Sequence, residues 1–296
     1  MTWLERSARP DAGGRLRRVL DDDRAITVPG VFNGLTALLA HRAGAEALYL
    51  SGAALSGSMG LPDIGLLTLD DVVRVVRQIT RITDVPLIVD ADTGFGGPLS
   101  VMRAVRELED AGAAAIQIED QEDPKRCGHL DGKRVVEPAR MAEKVGAAAA
   151  ARRDILVVAR TDARATGGLD DAIERGHAYR EAGADVIFPE ALTSEEEFAA
   201  YAAAVGGALL ANMTEFAKGP ALSVARLAAL GYRLVIFPVS AARVAAGHVR
   251  SFYAHLLREG EQSSWLGRML TRDELYDLIG YDAYAELDRS LAREDA

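Results

Sequence analysis

Short apolar runs recur along the chain, at 25–28, 47–50, 86–89, 115–118, 155–159, 186–188, 208–211 and 234–237. Within each run the hydrophobicity is continuous, which suits strands buried on both faces, as in a parallel sheet. Between the runs lie amphipathic stretches at 69–82, 100–111, 138–152, 169–182, 194–205 and 223–230, with a further helix expected near 14–22. Four runs follow a glycine that closes the preceding helical stretch, at Gly44, Gly112, Gly183 and Gly231, the usual residue just past a helix C-terminus. Strand–helix alternation without a linker or a break in composition predicts one α/β domain over 1–296. Eight repeats favour a closed (β/α)8 TIM-type barrel over an open sheet. Beyond 240 the pattern changes: 241–259 and 273–293 read as helices with no strand between them, a C-terminal helical extension over 241–296. Such an extension either closes the barrel bottom or reaches a second subunit.

Composition narrows the class. Hydrophobic residues make up 49% of the chain, ample for a large core, so disorder is excluded. The net charge of −10 argues against a nucleic-acid surface. A single cysteine excludes an internal disulfide and suits a reducing cytoplasm. No apolar run approaches the roughly 18–20 residues of a membrane span. Residues 1–18 mix Glu5, Asp11 and several arginines and do not read as a signal peptide.

The chemistry follows the strands. The runs lead into Pro29-Gly30, Ser51-Gly52, Asp90-Ala91-Asp92, Glu119-Asp120, Arg160-Thr161-Asp162, Pro189-Glu190, Asn212-Met213-Thr214-Glu215 and Pro238-Val239-Ser240. In a (β/α)8 barrel these ends converge on one mouth, where such enzymes place their sites. Any one of the Asp, Ser, Thr and Asn residues also reads as a helix N-cap, but polar clusters in register at one end point to a site. Asp90, Asp92 and Glu119-Asp120 crowd carboxylates together, which is costly without a cation. Hard oxygen ligands favour Mg²⁺ or Mn²⁺ over zinc. Arg160, Lys125 and Arg126 suit substrate carboxylates or phosphate. Cys127 lies in Lys125-Arg126-Cys127-Gly128-His129, a cationic surrounding that suits a thiol acting as proton donor or nucleophile.

Val89-Asp90-Ala91-Asp92-Thr93-Gly94-Phe95-Gly96, Ile118-Glu119-Asp120-Gln121 and the Lys125–His129 loop together resemble the isocitrate lyase/phosphoenolpyruvate mutase superfamily over about residues 30–286. The resemblance implies a (β/α)8 barrel, Mg²⁺, and a homotetramer built from dimers that exchange C-terminal helices. The Lys-Arg-Cys-Gly-His loop marks the lyase branch but also occurs in carboxyphosphoenolpyruvate mutase. Asn212 and Thr214, Arg243, Arg272, and the pair Phe188 and Ile236 are similar to features of its 2-methylisocitrate lyases. Ala53 departs from the glycine many of these carry after Ser51-Gly52.

The implied reaction is cleavage of the tricarboxylate (2S,3R)-2-methylisocitrate to pyruvate and succinate, as in propionate breakdown through the methylcitrate cycle. By that resemblance Asp90 and Asp92 hold Mg²⁺, with Asp63 and Glu119 assisting. Tyr49 is the candidate base, Ser51 and Gly52 contact substrate through the backbone, and Ala53 binds beside them with a methyl that alters the fit. Arg160, Glu190, Asn212, Thr214, Arg243 and Arg272 orient carboxylates, and Cys127 protonates the nascent succinate from a loop at 120–133 that closes over the site. Lysis of a substituted malate, hydrolysis of oxaloacetate, phosphonomutase chemistry, and a silent metabolite-binding role remain as alternatives.

Overall fold

The computed structural model describes residues 2–5, 11–22, 24–126 and 132–294. In chain order the elements are α1 (Ala12–Asp21), β1 (Ile26–Val31), α2 (Gly34–Arg42), β2 (Leu48–Leu50), α3 (Gly52–Ser58), α4 (Leu69–Ile82), β3 (Leu87–Asp90), α5 (Pro98–Asp110) and β4 (Ala115–Glu119). There follow α6 (Pro138–Ala151), β5 (Leu156–Thr161), α7 (Gly168–Glu181), β6 (Val186–Pro189), α8 (Glu195–Val205), β7 (Leu210–Asn212), α9 (Val224–Ala229) and β8 (Leu234–Phe237). The chain ends in α10 (Ser240–Glu259), α11 (Arg272–Ile279) and α12 (Tyr281–Glu294).

All eight strands pair in parallel in the order β6-β5-β4-β3-β2-β1-β8-β7. A bridge between Ile187 and Leu209 brings β6 back to β7, so the sheet nearly closes into the expected (β/α)8 barrel. Two apolar layers hold it. Inside, Ile26, Val28, Ile88, Ala115, Leu156, Val158, Val186, Leu210 and Leu234 pack together, with Leu16 of α1 among them. Outside, the strands pack on the helices, for which α4 buries Val72, Val73, Val75, Val76 and Ile79. Asp154, just before β5, accepts from Gly13 N at 2.7 Å and so pins α1 to the barrel bottom. Burial of this much aliphatic surface, at about 25 cal/mol per Å², is the main term favouring the fold.

Three expectations are corrected. A short helix, α3, precedes α4 between β2 and β3; Ser51 caps it by accepting from Ala54 N at 3.3 Å. The expected helix over 273–293 is two helices, broken where Gly280 adopts φ 73° and caps α11. Several strands also run past their apolar runs, so Asp90, Glu119, Arg160, Thr161 and Asn212 lie within strands. α10 buries no residue against its own barrel, and Val244, Val249, Tyr253 and Leu257 on it are exposed. Among the described residues no helix is long and apolar enough to cross a membrane.

Candidate active site

Strand alternation decides which side chains reach the mouth. On several strands the phase that buries an apolar residue in the barrel interior presents a polar one further on. Ile88 is followed by Asp90, Ala115 by Gln117 and Glu119, Val158 by Arg160, and Val186 by Phe188 and Glu190. Register then sets the neighbours: Asp90 lies beside Gln117, Glu119 beside Arg160, Arg160 beside Phe188, and Asn212 beside Ile236.

These side chains surround a cavity of about 280 Å³. Its lining includes Tyr49, Ser51, Ala53, Asp63 and Asp90 from the β2 and β3 region, Arg160, Phe188, Glu190, Asn212, Thr214, Ile236 and Arg243 from β5 onwards, and Lys125 and Arg126 from the loop after β4. Gly52, Asp92 and Glu119 stand immediately behind this lining: Gly52 N donates to Asp90 Oδ2 at 3.0 Å, and Glu119 lies 3.2 Å from Arg160 Nη1. Arg272 is not part of it; it is an exposed residue at the start of α11. Cys127, Gly128 and His129 lie outside the described residues. Backbone strain collects at this end: Asp92, Phe95, Ala191 and Phe216, each in a segment after a strand, have φ between 48° and 63°, a region non-glycine residues seldom occupy.

The carboxylates are not gathered around one point; among the described residues no three ligand-type side chains converge to hold a metal. Lys125 separates them, its Nζ bonded to Asp63 and 2.8 Å from Asp92 Oδ1. Although burial opposes it, the charges of Asp92 and Asp90 keep this ammonium above its ordinary range. Glu119 is held by Arg160 and, at 2.9 Å, by Gln121 Nε2. Burial first, then the coulombic effect of Asp90, push Asp92 up to about 6, against the pull of Lys125. Asp90 Oδ2 and Asp92 Oδ1 lie 3.1 and 3.3 Å from where a side chain on Gly52 would begin, so the missing Cβ leaves an oxygen-lined gap. Asp92 Oδ1 is buried with no aligned hydrogen-bond donor. The hard carboxylate oxygens of Asp90 and Asp92 beside this gap fit a divalent cation, which would take the place of the Lys125 ammonium at Asp92 Oδ1. Asp63 shares the Lys125 ammonium with Asp92, and Glu119 pairs with Arg160.

Tyr49 donates to Gln117 Oε1, and Gln117 Nε2 donates to Asp90 Oδ1 at 3.3 Å. Burial, then the Asp90 charge, hold the phenol well above its usual range, so with Asp90 uncompensated Tyr49 is a donor and not a base. Glu190 accepts from Ala191 N and from Asn212 Nδ2, at 2.8 and 3.0 Å. Asn212 Oδ1 is buried and unpartnered. Arg243 Nη1 binds Glu215 Oε2 at 2.8 Å and lies 3.5 Å from Thr214 Oγ1.

Gln117 escaped the sequence reading because it sits inside the apolar run 115–118. The signal was its phase: it lies two residues before Glu119 and two after Ala115, on the inward face. Asp162, buried against Arg160, and Lys133, buried against Asp162, also carry no role in the sequence reading.

The sequence model of the phosphoenolpyruvate phosphomutase family matches residues 16–257. A 2-methylisocitrate lyase of Aeropyrum pernix is 50% identical over 99% of this chain and 96% of its own length. One from Bacillus subtilis is 45% identical over 99% of this chain and 98% of its own. A crystal structure of 2,3-dimethylmalate lyase, described as a PEP mutase/isocitrate lyase superfamily member, superposes with a TM-score of 0.90 at 37% identity, covering 96% of both chains. By full-length likeness in sequence and in barrel architecture, the chain belongs to the phosphoenolpyruvate mutase/isocitrate lyase superfamily.

Proposed function

We propose that this protein is a Mg²⁺-dependent 2-methylisocitrate lyase, cleaving (2S,3R)-2-methylisocitrate to pyruvate and succinate. The observation that supports it is one cavity lined together by Asp90, which borders an oxygen-lined gap, by the cationic Arg160 and Arg243, and by the apolar Phe188 and Ile236. Asp90 and Asp92 would hold the metal, which when bound would supply Lewis acidity to the substrate hydroxyl. The protein's own groups do the rest. Arg160, 5.3 Å above the Phe188 ring, presents a fixed guanidinium to a substrate carboxylate. Asn212 and Thr214 donate to a second carboxylate, Asn212 Nδ2 through the N–H not given to Glu190, with Arg243 3.5 Å from Thr214. Phe188 and Ile236, both buried, offer an apolar wall to the substrate methyl. Tyr49 exchanges the hydroxyl proton, a role that requires the Asp90 charge to be compensated first. Cys127 Sγ–H gives its proton to the carbanion that becomes succinate; its reference pKa of about 8.5 keeps it a thiol at neutral pH.

The ion pair of Arg243 with Glu215 favours a second reading, a substituted malate with one carboxylate fewer, since that arginine already has a counter-charge. The test of the main reading is Cys127→Ser. With Mg²⁺ the wild type should release pyruvate and succinate in equal amounts and lose this with a chelator. The serine variant should lose cleavage by about 10²-fold or more while binding substrate nearly as well. Full activity in Cys127→Ser would remove the proton-donor role.

A further inference from the structure

Arg160 is held from beneath by groups that no role assigned so far includes. Asp162 grips it with both oxygens, Oδ2 accepting from Nε at 2.9 Å and Oδ1 from Nη2 at 3.0 Å. That leaves Nη1, 3.2 Å from Glu119, as the face turned away from Asp162. Asp162 is itself fixed twice. Its backbone N–H donates to Asp120 Oδ1 at 2.9 Å, and Asp120 is tied to Thr161, Tyr179 and Arg175 at 2.7, 2.8 and 3.3 Å. Its Oδ1 also receives Lys133 Nζ at 2.7 Å, with the two side chains only 2% and 0% exposed.

Lys133 is the informative member. Its neighbours Gly132 and Arg134 are exposed, and burying an ammonium from a surface segment is costly without an opposing charge. The segment is the returning side of a hairpin stem: Gln121 bridges Val135 antiparallel, Glu122 N bonds Arg134 O and Val136 N bonds Asp120 O, at 2.9 and 2.8 Å. The stem's outgoing side carries Gln121 to Glu119, the other acid on Arg160. Arg160 therefore faces Glu119, Asp162 and the more distant Glu190, and Lys133 offsets the acid that holds it most closely.

We propose that Asp162 and Lys133 are positioning residues for Arg160: Lys133, delivered by the hairpin stem, fixes the Asp162 carboxylate, which fixes the guanidinium in the cavity wall. The proposal rests on the reading that Arg160 binds a substrate carboxylate. Groups that orient a contact residue typically change activity about 10–100-fold when removed.

The experiment compares wild type, Lys133→Met, Lys133→Arg, Asp162→Asn and the exposed control Arg134→Ala. Turnover of 2-methylisocitrate with Mg²⁺ is measured beside the rate at which phenylglyoxal modifies Arg160, followed by peptide mass spectrometry. Lys133→Met should lower kcat/KM about 10-fold, chiefly through kcat, and Lys133→Arg should recover most of it. The Arg160 modification rate should rise several-fold in Lys133→Met and Asp162→Asn and stay at the wild-type value in Lys133→Arg and Arg134→Ala. Unchanged kcat/KM and unchanged modification in a folded Lys133→Met would overturn the proposal, as would an equal effect from Arg134→Ala. Absence of turnover in the wild type would instead strike the reading of Arg160 as a substrate group, and the modification rates would still decide whether Lys133 and Asp162 hold it.

Discussion

Asp92 concentrates the charge balance of the site in one side chain. It sits at φ 48°, beside Asp90, with Lys125 as its counter-charge. Its carboxyl is raised from 3.8 to about 6, so between those values the folded protein binds more protons at this site than the unfolded chain. Stability from this group is therefore present below about pH 4 and lost as pH rises through 6, by at most about 3 kcal/mol for a shift of that size. In metal-free protein, Asp92→Asn should gain stability relative to wild type as pH rises from 4 to 7. Added Mg²⁺ should stabilise the wild type at pH 7 and leave the variant unmoved. Thermal unfolding across that range with a chelator checks it, and a variant that falls behind wild type above pH 6 would contradict it. Asp90-Ala91-Asp92 was legible in the sequence because two acids at i and i+2 end an apolar run. That Lys125 would stand between Asp63 and Asp92 was not, because it depends on how a loop 30 residues further on folds back.

At the scale of elements, buried parallel strands were legible because continuous apolar runs have few other homes in a chain of this composition. Their ends were less so. Asp90, Glu119 and Arg160 remain in strand geometry because each pairs with a neighbouring strand and meets an opposite charge or a donor at the mouth. The break at Gly280 was missed because a single glycine is tolerated within a helical pattern and ends one only when it adopts a left-handed conformation. α10 was expected as a helix, and its lack of burial gives it a further consequence. Val249 and Leu257 are 45% and 87% exposed, and an apolar face of this length fits a second copy of the chain better than water. We expect self-association in solution, and Val249→Glu with Leu257→Glu to lower the assembled mass while leaving the helical circular dichroism intact. Light scattering after gel filtration reads this; a wild-type monomer would refute it.

For the whole molecule, the fold and the site share one cause. A barrel whose interior alternates apolar residues below and polar ones above has its core and its reactive mouth built from the same strands, two residues apart. That is why the strand ends predicted a site; Arg272, which follows no strand, stands exposed at the start of α11 outside the cavity lining. Substrate choice rests on smaller differences: the Phe188 and Ile236 wall, Ala53 at the rim, and whether Arg243 leaves Glu215 for a third carboxylate. The most direct test of the account is to supply 2-methylisocitrate and isocitrate side by side with Mg²⁺ and follow the 2-oxo acid released. The account predicts pyruvate formed with a kcat/KM at least about 10-fold above that for glyoxylate, the discrimination one methyl group gives in an apolar pocket. Equal rates, or turnover of a substituted malate in preference to both, would contradict it.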